Sequence, residues 1–254
     1  MFFILYPATC TLYDSAIMNT WRFIDSGPSP GAQNMAIDEE LLRDAAAGVG
    51  APVLRFYAWD PPAVSLGRFQ DEASSIDIDA CRRLGIDIVR RITGGRAVLH
   101  HRELTYSIIS PAANALFPRN VLGTYKVIAE GLLAGFNNLG IKADMAARPG
   151  NRIAKVKQVP RDPSCFAMPS WYEILVQGRK IVGSAQRRTA GAFLQHGSIL
   201  MNYDPVLEAE VIRGGGAGIG AVTSIEEFLG NPISYSEVKE AFLKGFSQAF
   251  EVTY

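Results

Sequence analysis

The stretch Arg90-Arg91-Ile92-Thr93-Gly94-Gly95-Arg96-Ala97-Val98-Leu99-His100-His101 decides how the rest of the chain is read. It stands between two strand-like runs, Ile86–Val89 and Leu104–Ile109, and sets two adjacent glycines among cations. Paired glycines let backbone approach a ligand closely, and their amides can face a carbonyl or an anion. The same residues also suit a tight β-turn with solvated arginines, and the segment alone leaves both readings open. No Gly-Lys-Ser/Thr closes the loop, so it is not a Walker-type phosphate cradle.

Outward from this loop the chain alternates short strands and helices. Trp21–Asp25, Val53–Tyr57, Ala63–Leu66, Trp171–Val176, Lys180–Ala185 and Phe193–Met201 read as further strands. Asp60-Pro61-Pro62 separates the second from the third, and Gln177-Gly178-Arg179 turns the fourth into the fifth. Helices are expected from Ser29-Pro30, serine as N-cap and proline at the first turn, to about Ala47; from Asp77 to Leu84; from Asn120 to Leu139, closed by Gly140; from Pro205 to Ile212; and from Ser234 to Phe250. The fold class expected is α+β, with mixed, mostly antiparallel sheets packed by helices in one domain over residues 19–254. Residues 1–18 read as an extension outside it, since Met18 stands just before the first strand. Ala146 to Ser164 loses apolar periodicity and reads as a long surface loop.

Composition narrows the function. The chain has 254 residues, 48% apolar and 20% charged, which is globular and excludes disordered, collagenous and coiled-coil classes. Its 25 Lys+Arg balance 25 Asp+Glu, so no global basic field gathers nucleic acid or an anionic membrane. The apolar run Met1–Tyr6 is too short for a membrane span and lacks a signal peptide's charged start. Cys10, Cys81 and Cys165 are odd in number and widely spaced, which fits a reducing, cytoplasmic setting. No metal site is expected at His100, His101 or His196, because no ligand set is completed at helical spacing. The glycines of Gly214–Gly220 follow no strand and read as a loop rather than a dinucleotide site.

Cys165 differs from the other thiols in lying at the end of the polar loop. It is either an inert buried cysteine or a nucleophile, and a nucleophile requires a stabilised thiolate. His100 or His196 could supply that through the fold, and Lys180 on the following hairpin is an alternative. A cation about 4 Å away contributes roughly 4 kcal/mol at an effective dielectric near 20, enough to carry a thiol from about 8.5 to below neutrality.

Several blocks together resemble a known family. Besides the glycine loop, these are Asn34-Met35-Ala36-Ile37-Asp38, Ser65-Leu66-Gly67-Arg68-Phe69-Gln70, Leu104-Thr105-Tyr106-Ser107, Gly178–Gln186 and Leu194-Gln195-His196-Gly197-Ser198. They resemble the signature blocks of the biotin/lipoate protein ligase superfamily over about residues 20–230. Ser164-Cys165-Phe166, then Trp171-Tyr172-Glu173 and the lysine block, resembles its octanoyltransferases of the LipM type. The resemblance implies that Cys165 accepts an octanoyl group from acyl carrier protein, that Lys180 lowers its pKa, and that the acyl group passes to a lysine of a lipoyl domain, the glycine cleavage H protein. It implies a binding site made of Arg91, Thr93, Gly94, Gly95, Val98, His100, Gly183, Ser184, Ala185, His196 and Gly197. In it Gly94, Gly95 and Ala185 supply backbone and oxyanion contacts, Val98 lines an acyl tunnel, and the two histidines orient neighbours or substrate. A thioester is already activated, so this chemistry calls for neither ATP, metal nor other cofactor. Arg96 replaces the third glycine common in the ligases, and His101 stands where the family usually has Asp. The rival readings are an ATP-dependent lipoate or octanoate ligase and a non-catalytic acyl-binding relative.

Overall fold

The computed structural model describes residues 20–146, 173–216 and 219–254. Cys10, Cys165, the extension before Thr20 and the Arg148 to Arg161 stretch lie outside the described residues.

The elements run β1 (Arg22–Ser29), α1 (Gly31–Ala46), β2 (Val53–Trp59), β3 (Ala63–Leu66), α2 (Glu72–Ser75), α3 (Ile78–Leu84), β4 (Asp87–Arg90), β5 (Val98–His100) and β6 (Glu103–Pro111). There follow α4 (Val121–Asn138), β7 (Asp144–Met145), β8 (Ile174–Val176), β9 (Arg179–Arg188), β10 (Ala192–Leu200), α5 (Pro205–Val211), α6 (Ile225–Leu229) and α7 (Tyr235–Phe250). Seven strands form one sheet in the order β1-β2-β6-β10-β9-β8-β7, and β4-β3-β5 form a second. Among these ten strands β1 with β2 and β3 with β4 pair in parallel and the other pairings are antiparallel. The expected mixed α+β architecture is therefore the observed one.

The helix starts follow capping chemistry with one correction. Asp77, Asn120, Asp204 and Ser234 each accept a backbone N–H of the first turn, and Ser234 forms a full capping box with Glu237. Ser29 is not the cap of α1. It ends β1, and Pro30 takes the N-cap position without a side-chain bond. The Ser29 carbonyl is occupied instead by the Asn34 side-chain amide at 3.1 Å and the Asp60 N–H at 3.2 Å. Strand pairing and a buried amide thus displace a local cap. The β8–β9 hairpin forms on Gln177 and Gly178, with φ of 52° and 77°, as a two-residue turn with both φ positive requires. Two short helices, α2 and α6, escape the periodicity because five residues or fewer carry no helical repeat.

One face of the large sheet carries the main core. Leu54, Phe56, Leu104, Tyr106, Ile108, Phe193 and Ile199 project at strand period onto α4 and α7. These two helices cross closely because glycines stand at the crossing. A Cβ on Gly131 would lie 2.2 Å from the Phe246 ring, one on Gly135 2.4 Å from the Phe242 ring, and one on Gly245 2.3 Å from the Gly135 nitrogen. The opposite face is covered by α1 and is divided. Val53, Ile109 and Leu194 pack with Leu41, Leu42 and Ala45 at one end, while the other end is polar and forms the cleft described below.

Gly245→Ala is expected to destabilise the fold although alanine favours helix by about 1 kcal/mol. The new methyl group meets backbone that cannot yield unless the helices separate, an overpacking effect of about 1–3 kcal/mol. A thermal midpoint equal to or above that of the parent chain would contradict this packing account.

Candidate active site

The site begins with an ion pair that sequence reading did not single out. Arg55 lies in the middle of β2 and Asp38 on the covered side of α1, their side chains 0% and 1% exposed, with Nη1 to Oδ1 at 2.8 Å. Three more donors converge on the same carboxylate. Ser107 reaches Oδ1 at 2.9 Å, and Tyr57 and His196 Nδ1 reach Oδ2 at 3.1 Å each. Arg55 is completed by the Asn34 carbonyl at 3.1 Å, the Asn34 side-chain oxygen at 2.7 Å and the Ser26 hydroxyl at 2.9 Å. Burial alone would raise the Asp38 pKa; the hydrogen bond from His196, the charge that ring carries when protonated, and the guanidinium of Arg55 outweigh it and hold the carboxyl below its usual range. Tyr57 moves the other way, pushed well up by burial and by Asp38.

His196 receives its tautomer from this network. Burial, opposed by Asp38 and reinforced by Arg91 and His100, lowers its pKa below that of an ordinary imidazole, so the ring is neutral at pH 7. Nδ1–H then donates to Asp38, and Nε2 accepts the Thr93 hydroxyl at 2.8 Å. Through that bond β10 holds the glycine loop.

A second histidine is fixed from the small sheet. His100 on β5 places Nδ1 2.8 Å from Glu103 and Nε2 2.7 Å from the Ser65 hydroxyl. Its ring stacks on Trp59 at 3.9 Å with 13° between planes. Glu103 Oε1 also accepts Thr105 at 2.5 Å and Ser198 at 2.9 Å. Arg91 ties the glycine loop to β3 of the small sheet: Nη1 donates to the Ser65 carbonyl and hydroxyl at 2.7 and 2.8 Å, and Nη2 to the Gly94 and Arg96 carbonyls at 3.0 and 2.6 Å. Arg91 shapes the loop from within.

Between these groups lies a cleft of about 440 Å³. Met35, Tyr57, Trp59, Ser65, Arg91, Gly95, Val98, His100, Thr105, Gly183, Ser184, Ala185, His196, Gly197 and Ser198 line it. Strand register explains the grouping: His196 pairs with Ser107 and Ala185, and Ser198 with Thr105 and Gly183, so alternate residues of three strands share this face. Gly197 is required here, since a Cβ would stand 2.6 Å from the Gly183 carbonyl.

Of the expected binding residues, Arg91, Gly95, Val98, His100, Gly183, Ser184, Ala185, His196 and Gly197 line the cleft. Thr93 stands behind it on His196, and Gly94 uses its carbonyl for Arg91. Lys180 is not a lining residue. It is 2% exposed on β9, with Nζ 2.5 Å from Glu173 Oε1. Cys165 lies outside the described residues, whereas Cys81 is a core residue of the small sheet whose thiol burial pushes up. Among the described residues no group of three or more His, Cys, Asp or Glu is placed to hold a metal, and no helix is long and apolar enough to cross a membrane.

The residues given no role beforehand were Met35, Asp38, Arg55, Tyr57, Trp59, Ser65, Glu103, Thr105 and Ser198, although Met35, Asp38, Ser65, Thr105 and Ser198 stand in the blocks that carry the family resemblance. Two of them also left a physical signal: an aspartate among Met35, Leu41 and Leu42 on one helical face, and an arginine centred in Val53–Trp59. Each is a charge in an apolar pattern, and buried charges come paired.

Asp38→Ala is expected to cost about 3–5 kcal/mol, because Arg55 would remain buried without its carboxylate; the denaturant midpoint measures it. His196, whose folded pKa is depressed, contributes stability that is full above pH ~6.5 and declines as pH falls toward the folded value, since unfolded molecules take up the proton first. Asp38 adds a further decline only at pH values below the ordinary carboxylate range. The thermal midpoint of the parent chain should therefore fall from pH 7 to pH 5, and His196→Gln should flatten that slope.

The comparisons agree with this geometry. A model of the lipoyl protein ligase A/B catalytic domain matches residues 30–247. The chain is 44% identical over 248 residues to octanoyltransferase LipM of Carboxydothermus hydrogenoformans, covering 93% of this chain and 89% of that one. It is 42% identical over 243 residues to octanoyltransferase LipM of Staphylococcus aureus, covering 92% and 88%. Among solved structures, a lipoate-protein ligase A bound with ATP superposes with a TM-score of 0.74 at 25% identity, covering 92% of this chain and 87% of that one. The protein Ta0514 of T. acidophilum, a lipoate protein ligase candidate with bound lipoic acid, gives 0.69 at 25% identity and the same coverage. The chain belongs to the lipoyl protein ligase A/B catalytic-domain family and, within it, to the octanoyltransferases of the LipM type.

Proposed function

We propose that this acyltransferase moves an octanoyl group from acyl carrier protein to a lipoyl-domain lysine, that of the glycine cleavage H protein, through a thioester on Cys165. The observation that carries the reading is Lys180, a buried cation on the strand that also brings Gly183, Ser184 and Ala185 to the cleft. A charge held at 2% exposure beside Glu173 is positioned at a cost in desolvation, which suits a role in chemistry.

Two exchanges complete the cycle. The Cys165 thiolate attacks the thioester carbonyl of the donor, a new C–S bond forms, and the carrier leaves as a thiolate that takes up a proton. The neutral ε-amine of the acceptor lysine then attacks the acyl-enzyme. The amide forms, the Cys165 C–S bond breaks, and the nitrogen gives up its extra proton. Each carbonyl passes through an oxyanion, for which backbone amides at Gly95 and Ala185 are the candidate donors. Val98, Met35 and Trp59 offer the apolar wall that an eight-carbon chain requires. His196 and His100, held at both ring nitrogens, position the wall and loop and need not move protons.

Likeness to a lipoate-protein ligase A bound with ATP supports a second reading, adenylation of a free acid. The two differ at one residue. Incubation with octanoyl-acyl carrier protein should leave a hydroxylamine-labile octanoyl mass on Cys165, and Cys165→Ala should abolish transfer. Full activity of that variant, or ATP-dependent turnover of free octanoate, would remove the thioester route. Thiol labelling between pH 5 and 9 should show Cys165 reacting with an apparent pKa below that of a free thiol, rising in Lys180→Met.

A further inference from the structure

We propose that a groove of four unpaired arginines beside the cleft is the docking surface for the acyl donor, holding the phosphodiester of the carrier's phosphopantetheine arm and the acidic surface around it. This rests on the acyl-transfer reading above.

The groove, about 1130 Å³, takes Arg43 from α1, Arg68 from the turn after β3, Arg90 from the end of β4 and Arg187 from β9, with Glu39 its lone carboxylate. It meets the cleft at Arg91, which lines both. The whole chain is neutral, and of the other arginines Arg82, Arg83, Arg102 and Arg179 each meet an Asp or Glu, whereas Arg22, Arg119, Arg188 and Arg213 form no ion pair among the described residues and do not line this groove. Arg43, Arg68, Arg90 and Arg187 form no ion pair among the described residues. Four like charges in one groove repel one another, and an anion relieves that repulsion.

The rim is stiff. Arg90 Nη1 donates to the Gly67 and Gln70 carbonyls at 3.0 and 2.7 Å, and the Arg68 N–H to the Thr93 carbonyl at 2.9 Å. Gly67 sits so close to the glycine loop that a Cβ there would stand 2.0 Å from the Gly95 carbonyl. The turn so held presents Phe69 at 86% exposure, with the Arg68 guanidinium 5.4 Å from its ring centre. An aromatic side chain offered on rigid backbone and rimmed by cations has the makings of an interface anchor.

Chemistry selects the donor over the acceptor as occupant. Guanidinium groups bind phosphate oxygens in a fork geometry. A carrier's arm joins its protein through a phosphodiester and ends in the acyl thioester, so an anion in the groove and an acyl chain in the cleft belong to one ligand. An acceptor's lysine side chain carries no anion along its length.

The test compares the parent chain with Arg43→Glu/Arg187→Glu and with Phe69→Ala. Holo-acyl carrier protein, which has the phosphodiester arm but no acyl group to transfer, should bind each variant at least tenfold more weakly by titration calorimetry, with an affinity in the parent chain that falls as salt rises. Turnover of octanoyl-pantetheine, which has neither phosphate nor protein, and the KM for the lipoyl domain should stay unchanged. The parent chain should prefer octanoyl-4′-phosphopantetheine to octanoyl-pantetheine, and the double variant should lose that preference. Unchanged carrier affinity, no preference for the phosphorylated arm, or a rise in lipoyl-domain KM instead would overturn the proposal. Carrier binding is read without turnover, so failure of the Cys165 thioester shows separately, as absence of an acyl mass on that residue.

Discussion

The Asp38–Arg55 pair is the constraint on which the rest of the site depends. A guanidinium and a carboxylate with almost no exposure are stable only when their remaining donors and acceptors are filled. Filling them draws in Asn34 from α1, Tyr57 from β2, Ser107 from β6 and His196 from β10. One ion pair thereby sets the distance of α1 from three adjacent strands. It also sets the tautomer of His196, and through Thr93 the position of the loop that carries Gly94 and Gly95.

The small sheet is locked to the large one by equally directional contacts. Glu103 on β6 gathers His100 of β5 with Thr105 and Ser198, and Thr93 of the glycine loop meets His196 on β10, while Arg91 draws Ser65, Gly94 and Arg96 together within the small sheet and its loop. Such networks make the cleft a preorganised cavity rather than a soft gap between layers, because moving one member leaves several buried groups unpaired. The α4–α7 layer on the far side is closed mainly by apolar side chains, with glycines at the crossing making room for Phe242 and Phe246. Polar precision and apolar bulk thus occupy opposite faces of one sheet, which the two-residue period of its strands permits.

Lys180 shows how far a strand can separate neighbours in sequence. Three residues before Gly183, it lies inside the protein against Glu173, with backbone bonds to Ala221 and Thr223, whereas Gly183 opens onto the cleft. The ammonium is held there with Glu173 offsetting its charge, so the pair is neutral in sum and its effect on neighbouring groups depends on the separation of the two charges.

The sequence by itself determined the α+β class and most strand and helix positions, because strand period, capping residues and turn glycines act locally and leave local patterns; the nine cleft-lining residues it named came from the resemblance of its contiguous blocks to a known family. It determined the family as well, since the matching blocks are contiguous. What only the tertiary structure decided is which buried charges meet: Asp38 with Arg55 and His196, Glu103 with His100 and Ser198, Lys180 with Glu173. These partners stand on different elements, and their pairing follows from sheet order and register that no local period encodes. The same reason hid the α1 start, where a long-range amide bond replaced a serine cap, and the convergence of Arg43, Arg68, Arg90 and Arg187. Net neutrality of the chain concealed that groove, because charge balance is a sum over residues and a field is a matter of where they are placed.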